Sequence, residues 1–172
     1  NDAKKLFKVG TDKIVLNSEF VKNPLMLKKF SHEFGAQSIV ISLDFKKING
    51  KYKIFYNNGK VKFQNDEKHL FSIINRFAGE VLINSIDHDG LGEGYDYKLV
   101  DYAYKYLRKP IILCGGAGQY SHFAKALRSN KLDGISSANF FQFQDQSVYY
   151  VKKYLYDKKF NVRKPALFNI KR

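Results

Sequence analysis

The sequence predicts an α/β fold built around a parallel sheet, and three observations carry that prediction. Short apolar runs alternate with longer stretches whose apolar residues recur at helical spacing. The runs are apolar on consecutive positions rather than alternate ones, as in strands buried on both faces. Several runs end in carboxylates, glycines or small polar residues, the composition of loops at the open ends of such strands. A chain of 172 residues fits one domain, 1–172, and a hydrophobic share of 44% supplies one core.

The elements follow in order. Lys13–Asn17 (KIVLN) reads as a strand. Asn23 caps, and Pro24 opens, a helix with an apolar face of Leu25, Leu27, Phe30 and Phe34, ended by Gly35. Ser38–Asp44 is a buried strand that carries the carboxylate of Asp44 to its open end. Tyr52–Tyr56 and Lys60–Phe63 flank Asn57-Asn58-Gly59, a hairpin signal. Asp66–Phe77 is a helix and Glu80–Asn84 a strand. Tyr97–Leu107 is a helix stopped before Pro110, and Pro110–Cys114 is a strand running into two glycines. Ser121–Arg128, Asp133–Ser137 and Ser147–Tyr156 complete the series as helix, strand and helix. Five strand–helix units leave two architectures open: part of a closed eight-stranded barrel, which takes about 250 residues, or an open doubly wound sheet.

Composition narrows the function classes. No run approaches the roughly 18 apolar residues of a membrane helix, so no membrane partner is expected. The segment from Asn1 to Lys8 is charged and lacks the apolar core of a signal peptide; with no initiator Met, the chain is expected to start mid-protein or after processing. The single cysteine, Cys114, excludes an internal disulfide and fits the cytoplasm. Thirty Lys+Arg against sixteen Asp+Glu leave a net charge of +14, spread without a block or a basic-aromatic repeat. That pattern suits solvated helix faces and a few anion contacts rather than a nucleic-acid interface. His32, His69, His88 and His122 fit no ligand spacing, so neither a metal nor a cofactor is expected.

Chemistry concentrates at strand ends. Ser85–Asp96 (SIDHDGLGEGYD), Cys114–Gly118 (CGGAG) and Ser137-Ala138-Asn139 each follow a predicted strand. Glycines there let backbone N–H groups approach an anion. Asp44 is a candidate general acid/base, and one of Asp87 and Asp89 is expected to brace its loop.

Several of these strings occur in register in one known family. Gly10–Asn17 (GTDKIVLN), Phe34–Gln37 (FGAQ) through Asp44, Gly79–Leu82 (GEVL), Ser85–Gly90 (SIDHDG), Gly94-Tyr95-Asp96 and Pro110–Gly118 (PIILCGGAG) resemble the cyclase subunit of imidazole glycerol phosphate synthase. The resemblance covers about residues 9–164 and begins at the family's fourth strand. It implies a phosphate-binding (β/α)₈ barrel of TIM type, with strands 4 to 8 in this chain and strands 1 to 3 outside it.

The resemblance also implies roles. The family uses ammonia from a docked glutaminase subunit, a heterodimer partner, to make imidazole glycerol phosphate and aminoimidazole carboxamide ribonucleotide from a phosphorylated small-molecule precursor. Asp44 matches the second of its two catalytic aspartates; the first, with an important lysine, belongs to the family's first strand. Asn17, Ser18 and the hairpin position Asn58 match one phosphate region. Asp89, Gly90, Gly115, Gly116, Ala138 and Asn139 match the other. Asp12 matches a glutaminase-docking residue, and Lys13 and Glu80 match the charged ring where ammonia enters. Departures from the family pattern are Leu91, Cys114, Asn139 and Asn58 where hydroxyl residues stand, and Asn84 at a tunnel-side threonine. They keep three other readings open: a diverged relative serving amidation of a surface-polysaccharide sugar, a non-catalytic glutaminase scaffold, and the sister isomerase barrel, which Lys13, Glu80 and Gly94-Tyr95-Asp96 disfavour.

Overall fold

A computed structural model describes residues 2–142 and 147–166. The elements run α1 (Asp2–Lys8), β1 (Ile14–Leu16), α2 (Ser18–Lys22), α3 (Met26–Phe34), a 3-10 turn (Ala36–Ser38), β2 (Ile39–Ile48), β3 (Lys51–Tyr56), β4 (Val61–Lys62) and α4 (Glu67–Phe77). They continue β5 (Glu80–Ser85), α5 (Tyr97–Tyr106), β6 (Ile111–Cys114), α6 (Tyr120–Leu127), β7 (Gly134–Ile135), α7 (Asn139–Gln142) and α8 (Ser147–Asp157).

The parallel strands lie side by side in chain order, β1-β2-β5-β6-β7. A doubly wound sheet reverses its strand order at a switch point; a barrel does not. The order therefore decides between the two architectures in favour of an arc of a (β/α)₈ barrel. β3 and β4 form an antiparallel ribbon that extends the far half of β2 beyond the parallel part.

The two faces of the sheet differ. Ile39, Ile41, Leu43 and Phe45 of β2, Val81 and Ile83 of β5, and Ile111 and Leu113 of β6 pack against the helices in one core with Leu70, Ile74, Leu99 and Phe123. The alternate positions form the inner face. Strands of period two send i and i+2 to the same side, so Ser42 and Asp44 share it, as do Glu80, Leu82 and Asn84. Apolar runs in the sequence thus conceal a mixed inner face.

Three expected boundaries shift. The helix expected from Asn23 begins at Met26: Asn23 ends α2 instead, donating its N–H to the Glu19 carbonyl and accepting from Met26 N–H through its own carbonyl. Leu25 consequently sits in the turn, 72% exposed, and not on the buried helix face. Asp44 is not the end of its strand, because β2 runs on to Ile48 to pair with β3. The reason is a second Asn-Gly turn, Asn49-Gly50, with φ of 47° and 76°, values that suit a tight hairpin. The predicted Asn57-Asn58-Gly59 turn is present, with all three residues at positive φ. β7 shrinks to Gly134–Ile135, and at its start the Asp133 carboxylate accepts from the Ile111 N–H at 2.9 Å.

A buried polar knot ties the ribbon to the barrel wall. Tyr52 Oη donates to Asp96 at 2.9 Å, Ser85 Oγ donates to Asp96 Oδ2 at 3.3 Å, and Leu99 N–H donates to Asp96 Oδ1 at 3.1 Å. Asp96, 7% exposed, is thereby satisfied and also caps α5. Burial and the Asp96 hydrogen bond push the Tyr52 phenol well above its ordinary range. The Tyr52→Phe variant should lose about 2 kcal/mol of unfolding free energy, because a buried carboxylate loses a donor. Urea denaturation would show this as a lower midpoint at unchanged slope.

Candidate active site and anion cradle

The inner face is layered along the strand direction. At the N-terminal ends Lys13 Nζ pairs with Glu80 Oε1. Both side chains keep contact with solvent, at 46% and 26% exposure, so the pair adds little stability by itself. Asp12 is exposed beside it. Val40 stands level with Glu80, and Leu82 and Ile112, level with Ser42, occupy the next positions inward, between these charges and a polar layer at the other end.

That polar layer is organised by Asp44. Asn17 Nδ2 donates to Asp44 Oδ2 at 3.0 Å, and Asn84 Nδ2 donates to Asp44 Oδ1 at 3.3 Å. Each carboxylate oxygen thus has one amide donor from a neighbouring strand. The register explains it: Asp44 lies directly opposite Asn84, and Asn84 opposite Cys114. Asn17 also lies within 3.4 Å of Ser42 Oγ and 3.3 Å of the Ser42 carbonyl. Ser18 Oγ donates to Asn17 Oδ1 at 3.0 Å and accepts from Asn57 N–H at 2.9 Å, which brings the hairpin tip, with Asn58, over the end of β1. Asn17, Ser18, Asp44 and the Asn58 turn are therefore one cluster.

The second cluster is a cavity of about 220 Å³ lined by Asp89, Gly90, Gly115, Gly116, Ala138 and Asn139, among others. Every residue expected in the second phosphate region lines it. Two glycines make the close approach possible. Gly116 has φ +103°, and a Cβ there would meet the Gly94 carbonyl oxygen at 2.1 Å; Gly115 has φ +91°, and its Cβ would come within 2.9 Å of Asn84 Oδ1. The Gly94 N–H donates to the Gly116 carbonyl at 2.8 Å, zipping the loops after β5 and β6 together. Gly118 N–H is taken by His122 Nδ1 at 3.2 Å, so that donor faces away from the cavity's needs. Asp87, not Asp89, braces its loop, accepting from Lys47 N–H at 2.7 Å.

Asn84 joins the two clusters. Its amide donates to Asp44 while its Oδ1 lies buried without a hydrogen-bond partner, against Gly115. A buried acceptor left open costs about 1–3 kcal/mol. Sequence reasoning noted Asn84 only as a departure from a pattern. The available signal was its place at the end of EVLIN, the same polar-amide ending as KIVLN. Ser42 was missed as well, although it stands two residues before Asp44 on the same face. Among the described residues no group of three or more His, Cys, Asp or Glu is placed to hold a metal, and no helix is long and apolar enough to cross a membrane.

Cys114 is half-buried at the end of β6. Burial raises its thiol above the ordinary range; the Ser136 hydrogen bond lowers it in part, while the charges of Asp89 and Asp44 add to the rise. At a given pH near neutrality it therefore carries less thiolate than a free cysteine. Iodoacetamide should alkylate Cys114 more slowly than glutathione at pH 7.5, with the rate rising on a limb displaced to higher pH.

The sequence matches the family described as histidine biosynthesis protein over residues 1–146. Similar proteins include the imidazole glycerol phosphate synthase subunit HisF of Dictyoglomus turgidum, 38% identical over 164 residues, covering 94% of this chain and 65% of that protein. The same-named subunit of Clostridium botulinum is 35% identical over 166 residues, covering 95% and 66%. A putative imidazole glycerol phosphate synthase subunit hisF2 of Parasynechococcus marenigrum is 38% identical over 143 residues, covering 83% and 53%. The chain thus spans 65% of the length of the first of these relatives. Matching order, spacing and strand-end chemistry agree with these likenesses, and the chain belongs to the histidine biosynthesis protein family.

Proposed function

We propose that this chain forms strands 4 to 8 of a cyclase of the imidazole glycerol phosphate synthase type, using ammonia and a phosphorylated precursor to yield imidazole glycerol phosphate and aminoimidazole carboxamide ribonucleotide. The observation that carries the reading is the bracketed Asp44 carboxylate. It stands on the inner face between an Asn17–Ser18–Asn58 cluster and a glycine-lined cavity, three neighbouring strands spanning roughly 10–15 Å. That spacing suits a ligand with an anionic group at each end and a reacting centre between them.

In this reading Asp44 takes and returns protons at the reacting centre. Asn17 and Asn84 hold its carboxylate in one orientation, so little reorganisation is needed as charge develops. Gly90, Gly115, Gly116, Ala138 and Asn139 receive one anionic end through backbone and amide donors. Lys13 and Glu80, paired at the opposite end of the inner face, mark where ammonia from a glutaminase subunit enters, with Asp12 on the docking rim. In this reading the reaction belongs to the cytoplasm.

The test is ammonia-dependent turnover of the phosphoribulosyl precursor by the full-length protein, with and without Asp44→Asn. Loss of a catalytic acid/base should lower kcat by about 10²-fold or more with little change in KM. A well-folded wild type that does not turn over, or an Asp44→Asn variant as active as wild type, would contradict the reading.

A further inference from the structure

Away from the strand-end site, two adjoining clefts of about 460 Å³ and 430 Å³ share Tyr52 and Lys98 and form one trough between the β2–β3 ribbon and α5. None of its lining residues belongs to the glycine-lined cavity. Lys47, Lys51, Lys53, Lys98 and Lys105 line it. The carboxylates along it are already engaged. Asp96 accepts from Tyr52, Ser85 and Leu99; Asp87 accepts from Lys47 N–H; Asp101 pairs with Lys131 at 2.6 Å; Glu67 takes Lys53 at 3.8 Å and the Tyr102 hydroxyl at 3.3 Å. Among the described residues Lys51, Lys98 and Lys105 have no ion-pair partner, and all three are exposed.

We propose that this trough binds an acidic, extended peptide segment of a partner protein. Lys98 and Lys105 are two turns apart on α5, about 10 Å along the axis. Lys51 and Lys53 are two residues apart on β3, about 7 Å. Carboxylates two or three residues apart on an extended chain, which advances about 3.3 Å per residue, match both spacings. A lone phosphate does not: the α5 N-terminus is already filled by the Asp96 carboxylate, and no glycine-rich turn offers backbone donors there. Single-stranded RNA fits less well, because the two rings on the trough floor between β3 and α5 are largely covered. Tyr52 is 9% exposed, and the Tyr102 ring packs among Phe45, Tyr52 and Tyr106. No arginine lines the trough.

The probe is a fluorescent twelve-residue peptide of alternating Glu and Ser, titrated with the protein in about 50 mM salt, where surface charge is weakly screened. Wild type should bind, and the affinity should fall steeply with added salt. The variant Lys51→Glu/Lys98→Glu/Lys105→Glu should bind at least about tenfold more weakly, and Lys51→Gln/Lys98→Gln/Lys105→Gln should lie between. A control with the same change in net charge, Lys5→Glu/Lys28→Glu/Lys29→Glu on α1 and α3, should lose much less. No binding by wild type would overturn the proposal. Equal losses in trough and control variants would do the same, because they would reduce the effect to net charge. So would oligouridylate competing at lower concentration than the peptide.

Discussion

The structure depends most on the parallel pairing of β2 with β5. That one ladder sets Asp44 opposite Asn84 and Val40 opposite Glu80, and so fixes which end of the inner face is polar and which carries the Lys13–Glu80 pair. A slip of one residue would send Ser42 and Asp44 into the helix-packed core and Leu43 and Phe45 onto the inner face. Burial of Ile39, Ile41 and Leu43, each at 0% exposure, enforces the register from the other side. The hydrophobic effect that stabilises the wall thus aims the carboxylate.

The same strand also links two sites of different character. Its parallel half bears Asp44, while its far half, extended by the Asn49-Gly50 turn, carries the ribbon that forms one wall of the lysine-lined trough. The Asp96 knot fastens that ribbon to α5 and to the end of β5. Rigid backbone therefore runs from the strand-end loops to the outer trough. Among the described residues no side-chain hydrogen bond joins a trough residue to Asn17, Asp44 or Asn84.

Much of this was legible in the sequence. The strand and helix series follows from apolar periodicity, and the two-glycine loop follows from its position after PIILC. Asp44, Gly115 and Gly116 were identified from residue type and placement, and the structure sets Asp44 on β2 and the two glycines just after β6, with β5 between them. The misses have physical causes. Asn23-Pro24 carries a helix-start pattern, but α2 occupies the preceding residues and consumes the cap. Asn49-Gly50 is as strong a hairpin signal as Asn57-Asn58-Gly59, but the charged stretch between it and the apolar run that closes at Asp44 carries no strand pattern of its own. Asn84 became visible as part of the site only through cross-strand register, which local patterns do not encode. The trough brings together lysines from β2, β3 and α5, far apart in sequence, so the even spread of charge along the chain hid it.

The central claim is that the strand-end loops after β5, β6 and β7 form one anion cradle beside Asp44. Amide chemical shifts of the isotope-labelled full-length protein, titrated with a simple sugar phosphate such as ribose 5-phosphate, test it directly. The account predicts saturable shifts at Gly90, Gly115, Gly116, Ala138 and Asn139, with smaller ones at Asp44 and Asn84. Shifts confined to the lysine-lined trough, or none at millimolar ligand, would contradict it.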